Sequence, residues 1–162
     1  MTNAYNAKLV RVTTTAAGGG LPSEAPLTGA GGNRFNVVVE GMAGNVLTTT
    51  GQPYSLEIHA FDITAAANPH SDRNDFTQRR LEQFDAVDGW PRKVATFTVT
   101  LNDPAAVQGH LLRYYAILTS ANQIVSFVES PLFLLYRHDP MVVHRPPAWG
   151  ATGPLPEPWR KI

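Results

Sequence analysis

Apolar and polar residues alternate along much of this chain with a period of two. This period is typical of β-strands that have one buried face and one solvated face. It is clearest in residues 94–101, where three threonines lie between apolar side chains, and it recurs in residues 35–41 and 54–63. Each of these strands is predicted to place its apolar positions on one face: Phe35, Val37 and Val39; Tyr54, Leu56, Ile58 and Ala60; Ala95, Phe97, Val99 and Leu101.

The stretch from residue 111 to 119 is apolar on both faces, which predicts a central strand. A hairpin tip is expected at Asn122 and Gln123, with a returning strand over residues 124–129 and a bulge or an edge at Pro131. Residues 132–137 would continue the sheet. Two closing strands of this kind are typical of an immunoglobulin-like sandwich. The predicted fold is therefore an all-β, immunoglobulin-like antiparallel β-sandwich of seven to eight strands.

Two regions interrupt the alternation before the closing hairpin. Residues 72–87 contain no Gly or Pro and place Phe76 and Phe84 at helical spacing, with Asp72 able to cap the start. We predict one short helix there, in a long crossover; an extended conformation of residues 77–83 remains the alternative. Gly44 and Asn45 are expected to form a turn.

Both ends of the chain differ in composition from its middle. Residues 7–14 resemble a short strand, and residues 18–32 are rich in Gly and Pro. Residues 140–162 contain six of the thirteen prolines and two of the three tryptophans, which predicts an extended segment. The predicted organisation is an N-terminal strand or arm with a linker (1–32), a sandwich (33–139) and an extended interaction tail (140–162). The predicted partner-binding residues of that tail are Pro146, Pro147, Trp149, Pro154, Pro156, Pro158 and Trp159.

Charge and composition limit the classes of partner. Thirteen basic and thirteen acidic side chains cancel, so no net field favours nucleic acid or an acidic membrane. The chain has no cysteine, which excludes disulfides and thiolate chemistry. We see neither a signal-peptide core nor an apolar run long enough to span a membrane, and expect a cytoplasmic protein or one released within an assembly.

Candidate catalytic residues are few. Glu57 and His59 would share the outer face of a strand, about 7 Å apart, but a solvated polar face explains them more simply. His70 with Asp72 and Asp75 is the densest acidic and histidine cluster, and a solvated loop explains it better than a metal site. His138, Asp139 and His144 border the tail without the spacing of a metal site. We therefore predict no catalytic, cofactor or metal site.

Three functional hypotheses follow. The first is a non-catalytic structural or interaction subunit of a larger assembly, whose tail acts as an intersubunit strap contacting a protein partner or another copy of the chain. The second is a ligand-binding, carbohydrate-binding-like module using Trp90, Tyr114 or Tyr115, although alternation places the two tyrosines on opposite faces. The third is a hydrolase or metal-dependent enzyme that uses Glu57 and His59 or the His70 cluster.

Overall fold

The computed structural model of the chain describes residues 7–27, 32–69, 74–84 and 92–136. Within these ranges the chain forms antiparallel strands with one short α-helix and one short 3-10 helix. The strands are β1 (Ala7–Ala16), β2 (Arg34–Ala43), β3 (Pro53–Asp62), β4 (Gln78–Gln83), β5 (Lys93–Thr100), β6 (His110–Ser120), β7 (Gln123–Glu129) and β8 (Phe133–Leu135). The α-helix is α1 (Asn45–Thr50), and the 3-10 helix spans Pro104–Val107.

The strands form two sheets. The first has three strands in the order β1-β2-β5, and the second has five, in the order β4-β3-β6-β7 with β8 also paired to β6. Every strand pairing within them is antiparallel. β6 has neighbours on both sides, as its doubly apolar sequence predicted. The predicted all-β, immunoglobulin-like antiparallel sandwich is thereby confirmed.

The core lies between the two sheets and consists of the side chains that alternation assigned to one face. All eleven of those positions on β2, β3, β5 and the residue after β5 are less than a tenth exposed. Aromatic rings join the sheets: the Phe35 ring lies 6.3 Å from that of Tyr114 and 5.7 Å from that of Phe133. Burial of these apolar side chains is the main favourable term that holds the sheets together.

The helix predicted in residues 72–87 is wrong, and the extended alternative for residues 77–83 is correct. β4 occupies this region and pairs with β3 from Pro53 to Ile58. Phe76 and Phe84 are both buried, but through strand alternation. A separation of eight residues keeps two side chains on one face in a helix and in a strand alike. The spacing therefore did not distinguish the two structures.

Two turns also differ from expectation. α1 replaces the turn predicted at Gly44 and Asn45, and it ends at Gly51, whose positive φ of 63° is the left-handed conformation common at helix ends. The closing hairpin turns at Ala121 and Asn122, one residue before the predicted tip. Both turn residues have positive φ, at 50° and 61°, as a type I′ hairpin turn requires.

The open edges of the two sheets are protected differently on the two sides of the sandwich. On one side, β4 side chains cover the free backbone of β5: Arg80 donates to the carbonyl of Thr96, and Gln78 donates to that of Thr98 at 2.7 Å. On the other side, β1 and β7 each carry a β-bulge, and the Leu9 amide donates to Ser126 Oγ at 2.8 Å. Both devices block strand addition at an edge.

Candidate binding face

The outward side chains of the three-stranded sheet are mostly polar, with Val94 as an exposed apolar exception. Thr96 and Thr98 of β5 are exposed, and the Thr98 hydroxyl bonds to the side chain of Asn36 at 3.0 Å. Glu40 accepts from Arg11 at 2.5 Å and from Arg92 at 3.2 Å. The hydrogen bond from Arg11 is the largest influence on Glu40, and it lowers the pKa of that carboxyl. We call this surface the threonine face; it is an ordinary solvated outer face.

The outward side chains of the five-stranded sheet are larger and more apolar. Strand register places Ile117 of β6 between Glu57 of β3 and Phe127 of β7. The next outward row carries Tyr115 between His59 and Glu129. We call this surface the aromatic face; its apolar members are Phe61, Leu81, Leu111, Tyr115, Ile117, Ile124, Phe127 and Leu134, and its charged or titratable members are Glu57, Arg79, His59, Arg113 and Glu129.

Two rings stack near the middle of the aromatic face. The centroids of Tyr115 and Phe127 lie 5.6 Å apart with an interplanar angle of 16°. Phe127 is 53% exposed, while Ile124 and Leu81 are 71% and 73% exposed. These apolar side chains are therefore exposed to water, which is unusual for the solvated outer face of a sheet.

The charged groups of the aromatic face pair with one another. Glu57 contacts His59 Nε2 through Oε2 at 3.0 Å and Arg79 Nε through Oε1 at 3.2 Å. The hydrogen bond with His59 is the largest influence on this carboxyl, and it lowers the pKa of Glu57. On the other side of Tyr115, Arg113 contacts Glu129 at 3.0 Å. This pairing leaves the face with aromatic and aliphatic groups beside balanced donors and acceptors, and with little net field.

Glu57 and His59 share an outer face, as the alternation predicted, and they are in direct contact. Ser55 lies beside them, but its hydroxyl bonds to Glu57 at 3.3 Å and it accepts from Arg79 Nε at 2.9 Å. In a serine-type catalytic triad the histidine lies between the serine and the acid. Here the carboxylate occupies the middle position, so these three side chains form a surface polar network.

Within the described ranges, no group of three or more potential metal-ligating His, Cys, Asp or Glu residues occurs. Asp75 is the described member of the cluster predicted around His70, and burial raises the pKa of its carboxyl. His70 and Asp72 lie outside the described residues, as do His138, Asp139 and His144. The structure thus supplies no geometry for the metal hypothesis.

Tyr114 and Tyr115 face opposite ways, as predicted. Tyr114 is fully buried and stacks on Phe133 with centroids 5.5 Å apart, so it belongs to the core. Burial raises the pKa of its hydroxyl well above the ordinary value. Tyr115 alone of the pair reaches the surface. Trp90, the third residue proposed for a carbohydrate platform, lies outside the described residues.

Phe127 and Ile117 were not predicted from the sequence as site residues. β7 lacks regular alternation, since Ile124 and Val125 are adjacent and a bulge lies between them and Phe127. β6 is apolar on both faces, which identifies a central strand without indicating that one of its faces is open to water. Knowledge of which neighbour covers each face was needed to find the aromatic face.

A narrow crevice enters the sandwich at one end, between the two sheets, near Tyr54 and Lys93. Its volume of about 10 Å³ is enough for one water molecule and too small for an organic ligand. The Tyr54 hydroxyl donates a hydrogen bond to Glu82 at 2.6 Å. Burial is the largest influence and this hydrogen bond the second largest, and together they raise the pKa of Tyr54 to about 12. The surface is therefore a better candidate than this crevice for recognition of a ligand or partner.

The seven tail residues predicted to bind a partner, from Pro146 to Trp159, lie outside the described residues. The strap hypothesis consequently stays a prediction. Among the helices that the structure describes, none has the length and apolar character needed to cross a membrane.

No protein-family model matches the chain, and no curated protein sequence matches it. Two similar solved structures are of a glycosyl hydrolase family 2 member from Bacteroides cellulosilyticus DSM 14838 and of a family 2 member from Bacteroides cellulosilyticus determined from microfluidic crystals. The first has a TM-score of 0.47 and 11% identity, and covers 80% of this chain and 15% of that chain. The second has a TM-score of 0.45 and 11% identity, and covers 79% of this chain and 14% of that chain. At this level of similarity they indicate nothing about what this chain binds.

Proposed function

We propose that this β-sandwich is a non-catalytic interaction module that binds a protein partner through its aromatic face. The observation that supports this most directly is the contrast between the two outer faces. The threonine face has the composition of a solvated sheet, whereas the aromatic face exposes Phe127, Ile124 and Leu81. Exposed apolar side chains bordered by polar ones, such as Phe127 and Ile124 on β7, are typical of interaction surfaces.

The composition of the aromatic face favours a protein over a charged ligand. Phe, Tyr and Arg are enriched in protein interfaces, where an apolar centre is surrounded by a polar rim. Ile117, Tyr115 and Phe127 supply such a centre. The Arg79–Glu57 and Arg113–Glu129 pairs lie around it. Because each arginine already contacts a carboxylate, a nucleic acid or another polyanion gains little from this face.

Photo-cross-linking in the full-length chain tests this proposal. A photoreactive phenylalanine analogue is placed at Phe127 and, as the matched control, at Thr98 on the threonine face. We expect covalent protein adducts at Phe127 in the source cells, at least about tenfold more abundant than at Thr98, as interface centres exclude water and contact their partners closely. Equal adduct yields at the two positions would contradict the proposal.

A carbohydrate ligand is the second candidate, and the stacked Tyr115–Phe127 pair favours it. An aromatic ring next to paired donors and acceptors such as Glu57 and His59 suits a neutral sugar, which has apolar and hydroxyl-bearing surfaces. Binding to a panel of neutral glycans, lost in Tyr115→Ala and kept in Thr98→Ala, would support this candidate. Absence of protein adducts at Phe127 together with such binding would replace the first proposal by the second.

A further inference from the structure

We propose that the partner of the aromatic face is the Pro- and Trp-rich segment 140–162 of a second copy of this chain. This inference rests on the proposed function, because it names the occupant of the same surface. It also gives the predicted tail residues, among them Trp149 and Trp159, a defined site to bind.

The chemistry of the segment suits the surface. Pro-rich segments bind in aromatic-lined grooves because the polyproline conformation is already extended and loses little entropy on docking. The aromatic face offers the Tyr115–Phe127 stack, with Ile117 beside it in the register of the sheet. Tryptophan is the side chain most often found as an interface anchor. The prolines between Trp149 and Trp159 are thus the natural groups to meet this stack.

The dimensions also agree. Trp149 and Trp159 are ten residues apart in the sequence. That separation spans roughly 31 Å in a polyproline helix. β6 has 11 residues, which corresponds to a length of roughly 36 Å at about 3.3 Å per residue. A segment that runs along the face could therefore anchor one tryptophan towards each end.

The formal charges of the segment and of the remainder of the chain are opposite in sign, although the ion pairs on the aromatic face itself balance. Residues 140–162 carry Arg145, Arg160 and Lys161 against Glu157, a formal charge of 3 − 1 = +2. The whole chain has thirteen basic and thirteen acidic residues, so residues 1–139 carry 10 − 12 = −2. The attraction between the segment and the remainder of a copy is modest, and it falls as salt is added.

The path of the chain favours a second copy over the same copy. β7 and β8 lie along the same side of β6, and they run in the same direction from the level of Ser120 towards His110. At Tyr136 the chain has therefore passed the end of the sheet that is remote from Phe127. A return to its own aromatic face requires a reversal of direction, whereas an extended continuation leads away from this face. Pro140, Pro146 and Pro147 favour the extended path.

The decisive experiment is cross-linking with isotope-labelled copies of the full-length chain. Unlabelled chain carrying a photoreactive phenylalanine at position 127 is mixed with ¹⁵N-labelled unmodified chain, equilibrated and irradiated. We expect adducts in which the labelled peptide comes from residues 140–162. A cross-link within one molecule keeps the mass of a monomer, whereas a cross-link between two unlabelled copies has the mass of a dimer. If the only adducts to residues 140–162 have the monomer mass, the assignment to a second copy is overturned.

A paired measurement uses variants in the segment itself. Trp149→Ala with Trp159→Ala should shift the full-length protein from dimer or larger to monomer in light scattering, with at least about tenfold weaker association. Thr152→Ala, in the same segment, is the matched control and should leave the mass unchanged. A monomeric unmodified chain at high concentration would contradict the inference.

These outcomes separate the inference from the function on which it rests. Adducts at position 127 to a different protein, with none to residues 140–162, would leave the interaction function standing and overturn the choice of occupant. No adducts at position 127 to any protein would overturn both.

Discussion

The two outer faces of this sandwich come from the same strand architecture and have opposite characters. β5 turns Thr96 and Thr98 outwards, whereas β7 turns Ile124 and Phe127 outwards, at 71% and 53% exposure. Both strands lie at the edge of their sheet, and both have inward neighbours that pack in a common core. Alternation thus establishes which residues point outwards, whereas the use of that outward surface depends on the kind of side chain found there.

The largest difference in the free energy of unfolding is expected between alanine variants of an inward and an outward phenylalanine. Phe97 is 0% exposed between the sheets, and Phe127 is 53% exposed on the aromatic face. Phe97→Ala should lower the free energy of unfolding by about 3–5 kcal/mol, because it leaves a cavity. Phe127→Ala should lower it by about 1–2 kcal/mol, because about half of the Phe127 ring is already exposed to water.

Urea unfolding of the two variants and the unmodified chain, followed by circular dichroism, measures both values. The comparison breaks if Phe127→Ala is as destabilising as Phe97→Ala. Phe127 would then be a structural residue, and its exposure would no longer point to a partner.

A smaller effect compares two arginines. Arg80 lies with its guanidinium 4.4 Å from the centre of the Phe97 ring and donates to the free edge of β5. Arg113 forms an ion pair with Glu129 on the aromatic face. Arg80→Ala should lower the free energy of unfolding by about 1–2 kcal/mol through lost packing and an uncovered carbonyl. Arg113→Ala should change it by about 0–1 kcal/mol, as exposed ion pairs do.

Thermal unfolding of the two alanine variants, each compared with its lysine counterpart, provides the measurement. Arg80→Lys should recover part of the lost stability, because the ammonium group keeps a charge near the ring. Equal destabilisation by Arg80→Ala and Arg113→Ala would contradict the view that the β5 edge contributes more to stability than the aromatic face does.

The smallest expected effect is on how the stability of the fold changes at acidic pH. Glu57 and Glu40 lie on different outer faces, and hydrogen bonds from His59 and Arg11, respectively, lower the pKa of each carboxyl. A folded-state pKa below the unfolded value of about 4.5 means that each carboxylate stabilises the fold above that pH. This contribution is lost as the pH falls from about 4.5 through the lower folded value.

Glu57→Gln and Glu40→Gln should therefore each flatten the acid dependence of the unfolding midpoint by a similar, small amount. Glu57→Gln should weaken association of the chain and Glu40→Gln should not, because Glu57 belongs to the aromatic face and Glu40 does not. Light scattering at neutral pH with both variants sharpens the comparison. A loss of association in Glu40→Gln alone would indicate a binding surface on the three-stranded sheet and contradict the aromatic face as the binding surface.

The sequence predicted the fold and the inward side chains correctly for a physical reason. Residues such as Phe35, Tyr54 and Phe97 alternate with polar neighbours, and a period of two leaves one structure open to them. Phe76 and Phe84, eight residues apart, satisfy the helical and the strand period equally, and there the predicted helix was wrong. The pairing of β4 with β3, which is long-range information, decides that case.

The candidate face was not predictable in the same way. Glu57 and His59 were found because they alternate with buried residues on one strand. Phe127 faces Ile117 across a strand pair, and a bulge at Val125 hides its position from any count along the sequence. Which apolar side chains remain exposed depends on the order of the strands, and that order is a property of the sheet as a whole.

The covering of β5 by side chains from β4 has a consequence for how the protein fails under stress. β4 is only six residues long and lies at the end of its sheet, so it is a natural segment to detach first when the structure opens locally. Its departure would bare the backbone of β5, which alternates Val and Phe with threonine and has a strong preference for strand pairing. Heat-induced aggregation of this protein should accordingly begin at β5 in molecules that are otherwise still folded.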